Sequence, residues 1–137
     1  MYIEFANLPS SSTPLNATNL NNMQKNEIVT GTEYATNDWI DGDRVYKKRI
    51  DCGTLPNATS KNVSTGLTSA NINIIKFEGS SKATNGTTIP LPHISPANLI
   101  YCVSVNLSSS GDIVIETGSD RSLYTTSYVD IYYTKIS

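Results

Sequence analysis

The amino-acid sequence predicts a mostly β protein, an antiparallel β-sandwich or jelly-roll-like head with a short N-terminal segment that is extended and then helical. Three observations favour this fold class. Apolar and polar residues alternate with a period of two in several runs after Glu33, clusters of Gly, Asn and Ser separate those runs, and good helix formers are scarce beside Asn, Ser and Thr. At 137 residues, the chain is expected to form one compact domain with a short tail.

The first 30 residues differ from the rest and are predicted to be an attachment segment, with residues 31–137 forming the head. A Pro-bounded extended stretch comes first, and after it Asn16 can cap a short helix whose apolar positions lie on one face. So short a helix needs packing partners to be stable in water, so we expect it to dock on this chain or on a neighbour. The residues predicted to serve attachment or oligomerisation are Leu8, Pro14, Leu15, Leu20 and Met23.

Two strands are predicted in the first half of the head. Residues 41–43 form a turn signal, after which residues 44–52 alternate, with Tyr46, Ile50 and Cys52 on one face and Lys47, Arg49 and Asp51 on the other. The second strand spans residues 72–78 and is expected to be covered on both faces, with Ile72 and Ile74 on one side and Ile75 and Phe77 on the other.

The second half of the head contains the hairpin signal. Residues 99–107 alternate, with apolar side chains at Leu99, Tyr101, Val103, Val105 and Leu107. A polar turn, Ser108 to Gly111, leads into a strand over residues 112–117 that points Ile113 and Ile115 inward. The closing strand spans residues 127–136, in which Val129, Ile131 and Tyr133 alternate with Tyr128, Asp130 and Tyr132.

Long loops are predicted between these strands, over residues 54–70 and 79–98, because Gly, Pro, Asn and Ser are dense there. Proline cannot donate to a β-ladder, so a central strand is not expected near Pro90, Pro92 and Pro96. An edge segment or a rigid surface loop fits these prolines.

Charge and hydropathy argue against two classes of partner. The net charge is -2 and the charged residues are dispersed, so the sequence has no basic surface of the kind that binds nucleic acid. No apolar run approaches the length of about 18 residues that a membrane span needs, and the start resembles no signal peptide. We therefore expect the chain to be made in the cytosol and not to insert into a membrane. In that compartment we expect Cys52 and Cys102 to be buried free thiols rather than a disulfide.

The sequence gives no sign of catalysis. His93 is the single histidine and has no nucleophile motif beside it, and one His with two distant Cys does not make an ordinary zinc site. Asp112 and Glu116 are four strand residues apart, about 13 Å, which is too far for a glycosidase pair. A cross-strand pair of Glu116 with Asp130 stays open, but solvated faces of antiparallel sheets commonly carry such charges, and that explanation is favoured. We expect no enzyme activity, catalytic residue, cofactor or metal.

Recognition by the surface remains. Aromatic and loop residues suit ligand binding, although tyrosines in strands more often pack against neighbours. The predicted ligand contacts are Trp39, Asn85, Asp120, Arg121 and Tyr124.

Two stretches carry a resemblance to bacteriophage structural proteins. Residues 5–21 resemble the "LPS-x-x-TPLNA-x-NLN" start of many phage proteins encoded among tail and base-plate genes of Gram-positive-type hosts. Residues 33–56, with residues 118–122 and 132–135, resemble the "W-I-D-G-K-P-I-Y-R-K-T" to "D-R-S … Y-T-K" domain that closes many phage fibre and receptor-binding proteins. The two stretches together bracket nearly the whole chain.

The resemblance implies a virion component that is made in the host cytoplasm, is commonly trimeric, and attaches to tail, base-plate or capsid proteins through its N-terminal segment. No long shaft or coiled coil separates the opening from the head. The first hypothesis is therefore a short homotrimeric fibre or receptor-binding tip that contacts host surface glycan. The alternatives are a capsid-mounted head fibre or decoration protein with a docking role and, less favoured, a spike that degrades polysaccharide.

Overall fold

The computed structural model describes residues 27–136, which contain eight β-strands and two short 3-10 turns. The strands in chain order are β1 (Glu33–Ile40), β2 (Asp43–Asp51), β3 (Ser60–Ser64), β4 (Ile72–Ala83), β5 (Thr88–Leu91), β6 (Val103–Leu107), β7 (Asp112–Thr117) and β8 (Tyr124–Lys135). The predicted attachment residues, the short helix and most of the predicted N-terminal segment lie outside the described residues.

The strands form two antiparallel sheets, which confirms the predicted fold class. One sheet has the order β1-β2-β8-β4-β5 and the other the order β3-β7-β6. The pairing is nested, because β2 pairs with β8 while the next strand, β3, pairs with the preceding strand, β7. Strand β8 lies at the centre of the larger sheet and is hydrogen-bonded to β2 on one side and β4 on the other.

The core lies between the two sheets and follows the predicted alternation. Val129, Ile131 and Tyr133 of β8 are fully buried, as are Ile113 and Ile115 of β7. The intervening residues of β8 therefore point to the outer face of the five-stranded sheet, away from the three-stranded sheet. This outer face carries the candidate site.

Both predicted turns are confirmed. Asp41 and Gly42 join β1 to β2, and both have positive φ angles, 49° and 84°, as a two-residue hairpin turn requires. The turn from Ser108 to Gly111 joins β6 to β7, where the N–H of Ser108 donates to the carbonyl of Asp112 at 2.8 Å.

Two expectations for β4 are wrong: Phe77 does not share a face with Ile75, and the outer face of the strand is not covered. The register against β8 shifts between Ile74 and Lys76, so Ile75 is an extra residue in a β-bulge. Because the extra residue shifts the alternation of the strand by one position, Phe77 lies on the same face as Ile74. Both side chains pack against the core. Ile75 is left on the surface, 41% exposed.

The predicted strand over residues 99–107 begins too early. Leu99–Tyr101 is a 3-10 turn, capped by the Asn98 side chain, which accepts from the N–H of Ile100, and strand β6 starts at Val103. Leu99 is consequently 81% exposed instead of facing the core.

The predicted loops contain more β-structure than expected. Strand β3 lies inside residues 54–70, and β4 continues through Ala83 before the short strand β5. Pro90 lies in β5 opposite Ser80, and β5 is an edge strand, as the prolines predicted. Within residues 27–136, no helix is long and apolar enough to cross a membrane.

Candidate functional site

The outer face of β8 presents Tyr128, Asp130 and Tyr132 in a row. Asp130 is only 3% exposed although it faces outward, because Arg49 of the neighbouring strand covers it. Arg49 donates to both carboxylate oxygens, from Nε at 2.8 Å and from Nη2 at 3.0 Å, and the Lys47 Nζ lies 3.4 Å away. The hydrogen bonds to Asp130 raise the pKa of Arg49.

Cations lie over both tyrosine rings of this row. The guanidinium carbon of Arg49 is 3.9 Å from the Tyr128 ring centroid, and the ammonium groups of Lys47 and Lys76 are 5.2 and 4.3 Å from that of Tyr132. These distances are within the range of cation–π attraction. The row therefore combines one neutralised carboxylate with aromatic rings flanked by positive charge.

A groove of about 340 Å³ opens on the outer face beside Tyr132, and we call it the Trp39 groove. Buried Val45 and partly buried Tyr132 lie deepest among its lining residues, while Trp39 is 61% exposed and carries Arg44 over its ring at 5.7 Å. Its principal lining residues are Trp39, Ile40, Val45, Ile75, Lys76 and Tyr132.

The other predicted ligand contacts lie at the opposite end of the sheet. Asn85 lies in the β4–β5 turn, and Asp120 and Arg121 lie in the loop before β8. This loop meets the turn where the N–H of Thr84 donates to the carbonyl of Leu123 at 3.1 Å. From Thr126 to Tyr132 of β8, the distance along the strand is about 20 Å. The five predicted residues therefore do not form one site.

Much of the hydrogen-bonding capacity of that loop is used within the protein. The Asp120 carboxylate accepts from the N–H and hydroxyl of Ser122, which lowers its pKa, and the Arg121 Nη2 donates to the carbonyl of Tyr101 at 2.6 Å. The Arg121 guanidinium also lies over the rings of Tyr101 and Tyr124. Tyr124 is buried, which makes it a packing residue rather than a surface for ligand.

This end of the molecule also exposes several large apolar side chains, which we together call the loop patch. Ile94 is 77% exposed, and the backbone of Ile100 lies against Gly118 at the start of the loop before β8. The residues of the loop patch are Ile94, Leu99, Ile100, Tyr101 and Leu123.

A polar cluster lies at the other open end of the sandwich. The Glu33 carboxylate accepts from the Tyr133 hydroxyl at 2.5 Å and from the Lys135 ammonium at 2.9 Å, beside a cavity of about 510 Å³. Burial by itself raises the pKa of Glu33, but the hydrogen bonds from Tyr133 and Lys135 and the nearby positive charges outweigh it, and the pKa is lowered. The sequence patterns gave no indication of this cluster, because Glu33 and Tyr133 are 100 residues apart.

The groups considered for catalysis are not brought together. Glu116 lies in the three-stranded sheet and Asp130 in the five-stranded sheet, so the two are not cross-strand neighbours. The backbone of His93 pairs with Val103, and Cys52 and Cys102 are both free thiols. Among residues 27–136, no group of three or more His, Cys, Asp or Glu residues could hold a metal ion.

Sequence reasoning identified Trp39 but missed Ile75 and Lys76 in the same groove. The adjacent apolar pair Ile74-Ile75 interrupts the alternation of β4, and this interruption is the available signal for the bulge that turns Ile75 outward. Comparison of the chain with protein-family models, with curated proteins and with solved structures finds no match.

Proposed function

We propose that the chain is a non-enzymatic bacteriophage virion protein, a short fibre or receptor-binding tip that assembles as a homotrimer and contacts host surface glycan. The observation that carries the proposal is the presence of two exposed apolar surfaces at opposite ends of one small sandwich, the loop patch and the Trp39 groove. Exposed apolar clusters of this kind mark interaction sites. Two such surfaces fit a protein that joins its own copies at one end and a ligand at the other.

The first described residues of the head lie against the middle of the five-stranded sheet. Thr30 lies in a depression with Thr126 and Tyr128, near the start of β8, and the N–H of Gly31 donates to the carbonyl of Arg49 at 2.8 Å. The chain therefore enters the head beside residues 126–130 of β8, between the loop patch and the Trp39 groove. Contacts with other copies are expected at the loop patch.

The Trp39 groove lies at the end of the sandwich opposite the loop patch. A ligand in the groove is accessible to a host surface when the particle holds the end that carries the loop patch. The resemblance of residues 5–21 and 33–56 to phage structural proteins supplies the virion part of the proposal.

Imaging of intact phage particles tests the proposal. Antibody raised against residues 31–137 should label the tail tip or base plate of particles that carry the protein. Label at capsid vertices or hexamer centres would reject the tail location in favour of a head fibre. Particles that contain no copy of the chain would overturn the proposal.

A further inference from the structure

We infer that the Trp39 groove binds a saccharide unit that carries an anionic group, a carboxylate or a phosphate, with the ring against Trp39 and the anion at Lys76. The choice of a saccharide rests on the proposed function, whereas the position and the charge rest on the residues that line the groove.

The shape of the groove suits one or two sugar rings. Its volume of about 340 Å³ is at the lower end of the range for small-molecule sites, about 300 to 1,000 Å³. Trp39 offers a flat ring that is 61% exposed, and the bulge at Ile75 adds an apolar wall. The C–H face of a pyranose packs on such rings, and the polar groups of the sugar remain available for hydrogen bonds.

The charges beside the groove favour an anion. Lys76 lies on the groove wall, with its ammonium group 4.3 Å from the Tyr132 ring centroid. It forms an ion pair with Glu78, whose carboxylate oxygen is 3.7 Å from the ammonium group. The lysine side chain is 55% exposed, so the pair is weak and Lys76 can turn toward a ligand. The buried carboxylate on this face, Asp130, is already neutralised by Arg49 and Lys47.

One carboxylate of the groove opposes this preference. Asp38 also lines it, but its side chain is exposed, where water and salt screen its charge. Two cations lie beside the groove against it, Arg44 over the Trp39 ring and Lys76 over the Tyr132 ring. Lys76 lines the groove itself, so it is the cation expected to meet the anion.

Tryptophan fluorescence gives a direct test, because Trp39 is the only tryptophan of the chain. The full chain is titrated with trigalacturonate for the carboxylate, glucose 6-phosphate for the phosphate and maltotriose as an uncharged sugar. We expect a saturable fluorescence change with at least one anionic probe and a binding constant about tenfold weaker for maltotriose, as the loss of one charge-assisted hydrogen bond implies. Equal affinity for maltotriose, or no saturable change with either anionic probe, overturns the inference.

Lys76→Gln and Lys82→Gln form a matched pair of variants. Both lysines are exposed on the outer face of β4 and each change removes one charge, but Lys82 lies opposite Thr126, about 20 Å along the strand from the groove. We expect Lys76→Gln to weaken the anionic probe about tenfold and Lys82→Gln to change it less than twofold. An equal loss in both variants means general charge attraction and overturns the inference.

The same variants separate this inference from the proposed function. Trp39→Ala, measured by calorimetry with circular dichroism as the folding control, should abolish binding of the anionic probe. If the probe binds this variant unchanged, the Trp39 groove is not the site and the inference is wrong. Particle imaging and the mass of the assembly are independent of that result, so the proposed function then stands or falls on them alone.

Discussion

Asp130 is the buried carboxylate of the outer face of β8. It is 3% exposed, and its two oxygens accept from Arg49 while Lys47 lies 3.4 Å away. Removing one partner of a buried pair costs more than the pair itself contributes, because the remaining charge keeps its desolvation penalty.

We therefore expect Asp130→Asn to lower the free energy of unfolding by about 3 kcal/mol, measured by urea denaturation at neutral pH. The control is Glu78→Gln, since Glu78 lies directly opposite Asp130 in the register but pairs with Lys76 at an exposed position. This control should change stability by less than about 0.5 kcal/mol. Equal losses in the two variants would show that burial of Asp130 carries no extra cost.

Glu33 gives stability a dependence on pH. Its pKa in the folded protein is lowered below the ordinary 4.5, since the hydrogen bonds from Tyr133 and Lys135 outweigh the effect of burial. In the acid range the unfolded chain therefore binds more protons than the folded one. The contribution of Glu33 is fully present above about pH 5 and is lost as the pH falls through the lowered pKa.

The predicted consequence is a difference in slope. Between pH 5 and pH 3, the unfolding free energy of the natural chain should fall more steeply than that of Glu33→Gln, as followed by thermal or urea unfolding. Above pH 5 the variant should be the less stable of the two. Parallel curves of unfolding free energy against pH for the two proteins would contradict the lowered pKa of Glu33.

At the scale of elements, the glycine of the β6–β7 turn is predicted to tolerate a side chain poorly. Gly111 has a φ of +89°, and a Cβ there would overlap the carbonyl oxygen of Leu67. Gly86, in the β4–β5 turn, has a similar φ of +92° but open space around it. The two positions separate backbone strain from steric overlap.

We expect Gly86→Ala to cost about 1 kcal/mol, the cost of a positive φ alone, and Gly111→Ala to cost about 3 kcal/mol. Thermal unfolding by calorimetry measures both. Similar losses would mean that the backbone near Leu67 moves aside easily.

The same elements show what the sequence could predict. The closing strand and the β6–β7 hairpin follow strict alternation, and their inward residues, Ile113, Ile131 and Tyr133 among them, are buried as expected. The bulge at Ile75 and the 3-10 turn at Leu99–Tyr101 were missed, because both contain apolar residues that alternation alone assigns to a strand. Strand β3 was missed because its residues are mostly polar and it is held by pairing with β7.

The candidate site was less predictable than the fold. Trp39 was identified as a single aromatic residue, but its neighbours in the groove come from β2, β4 and β8. Asn85, Asp120, Arg121 and Tyr124 were also predicted as ligand contacts, and they lie at the other end of the sheet. Their grouping depends on strand order, which local patterns do not encode.

At the scale of the whole molecule, the loop patch is predicted to join copies of the chain. Leu99 is 81% exposed there, so Leu99→Ser should weaken self-association without harming the core. Ile40→Ser, at the far end of the head, removes a comparable exposed side chain and serves as the control. Sedimentation velocity should show a lighter species for Leu99→Ser than for the natural chain. Dissociation of Ile40→Ser alone would contradict the prediction.

The mass of the full chain in solution is the sharpest test of the proposed homotrimer. Light scattering coupled to size exclusion at micromolar concentration should give about three times the chain mass of 14.9 kDa, because the proposed function requires closed homotrimers. A homogeneous species of 14.9 kDa across that concentration range would contradict it.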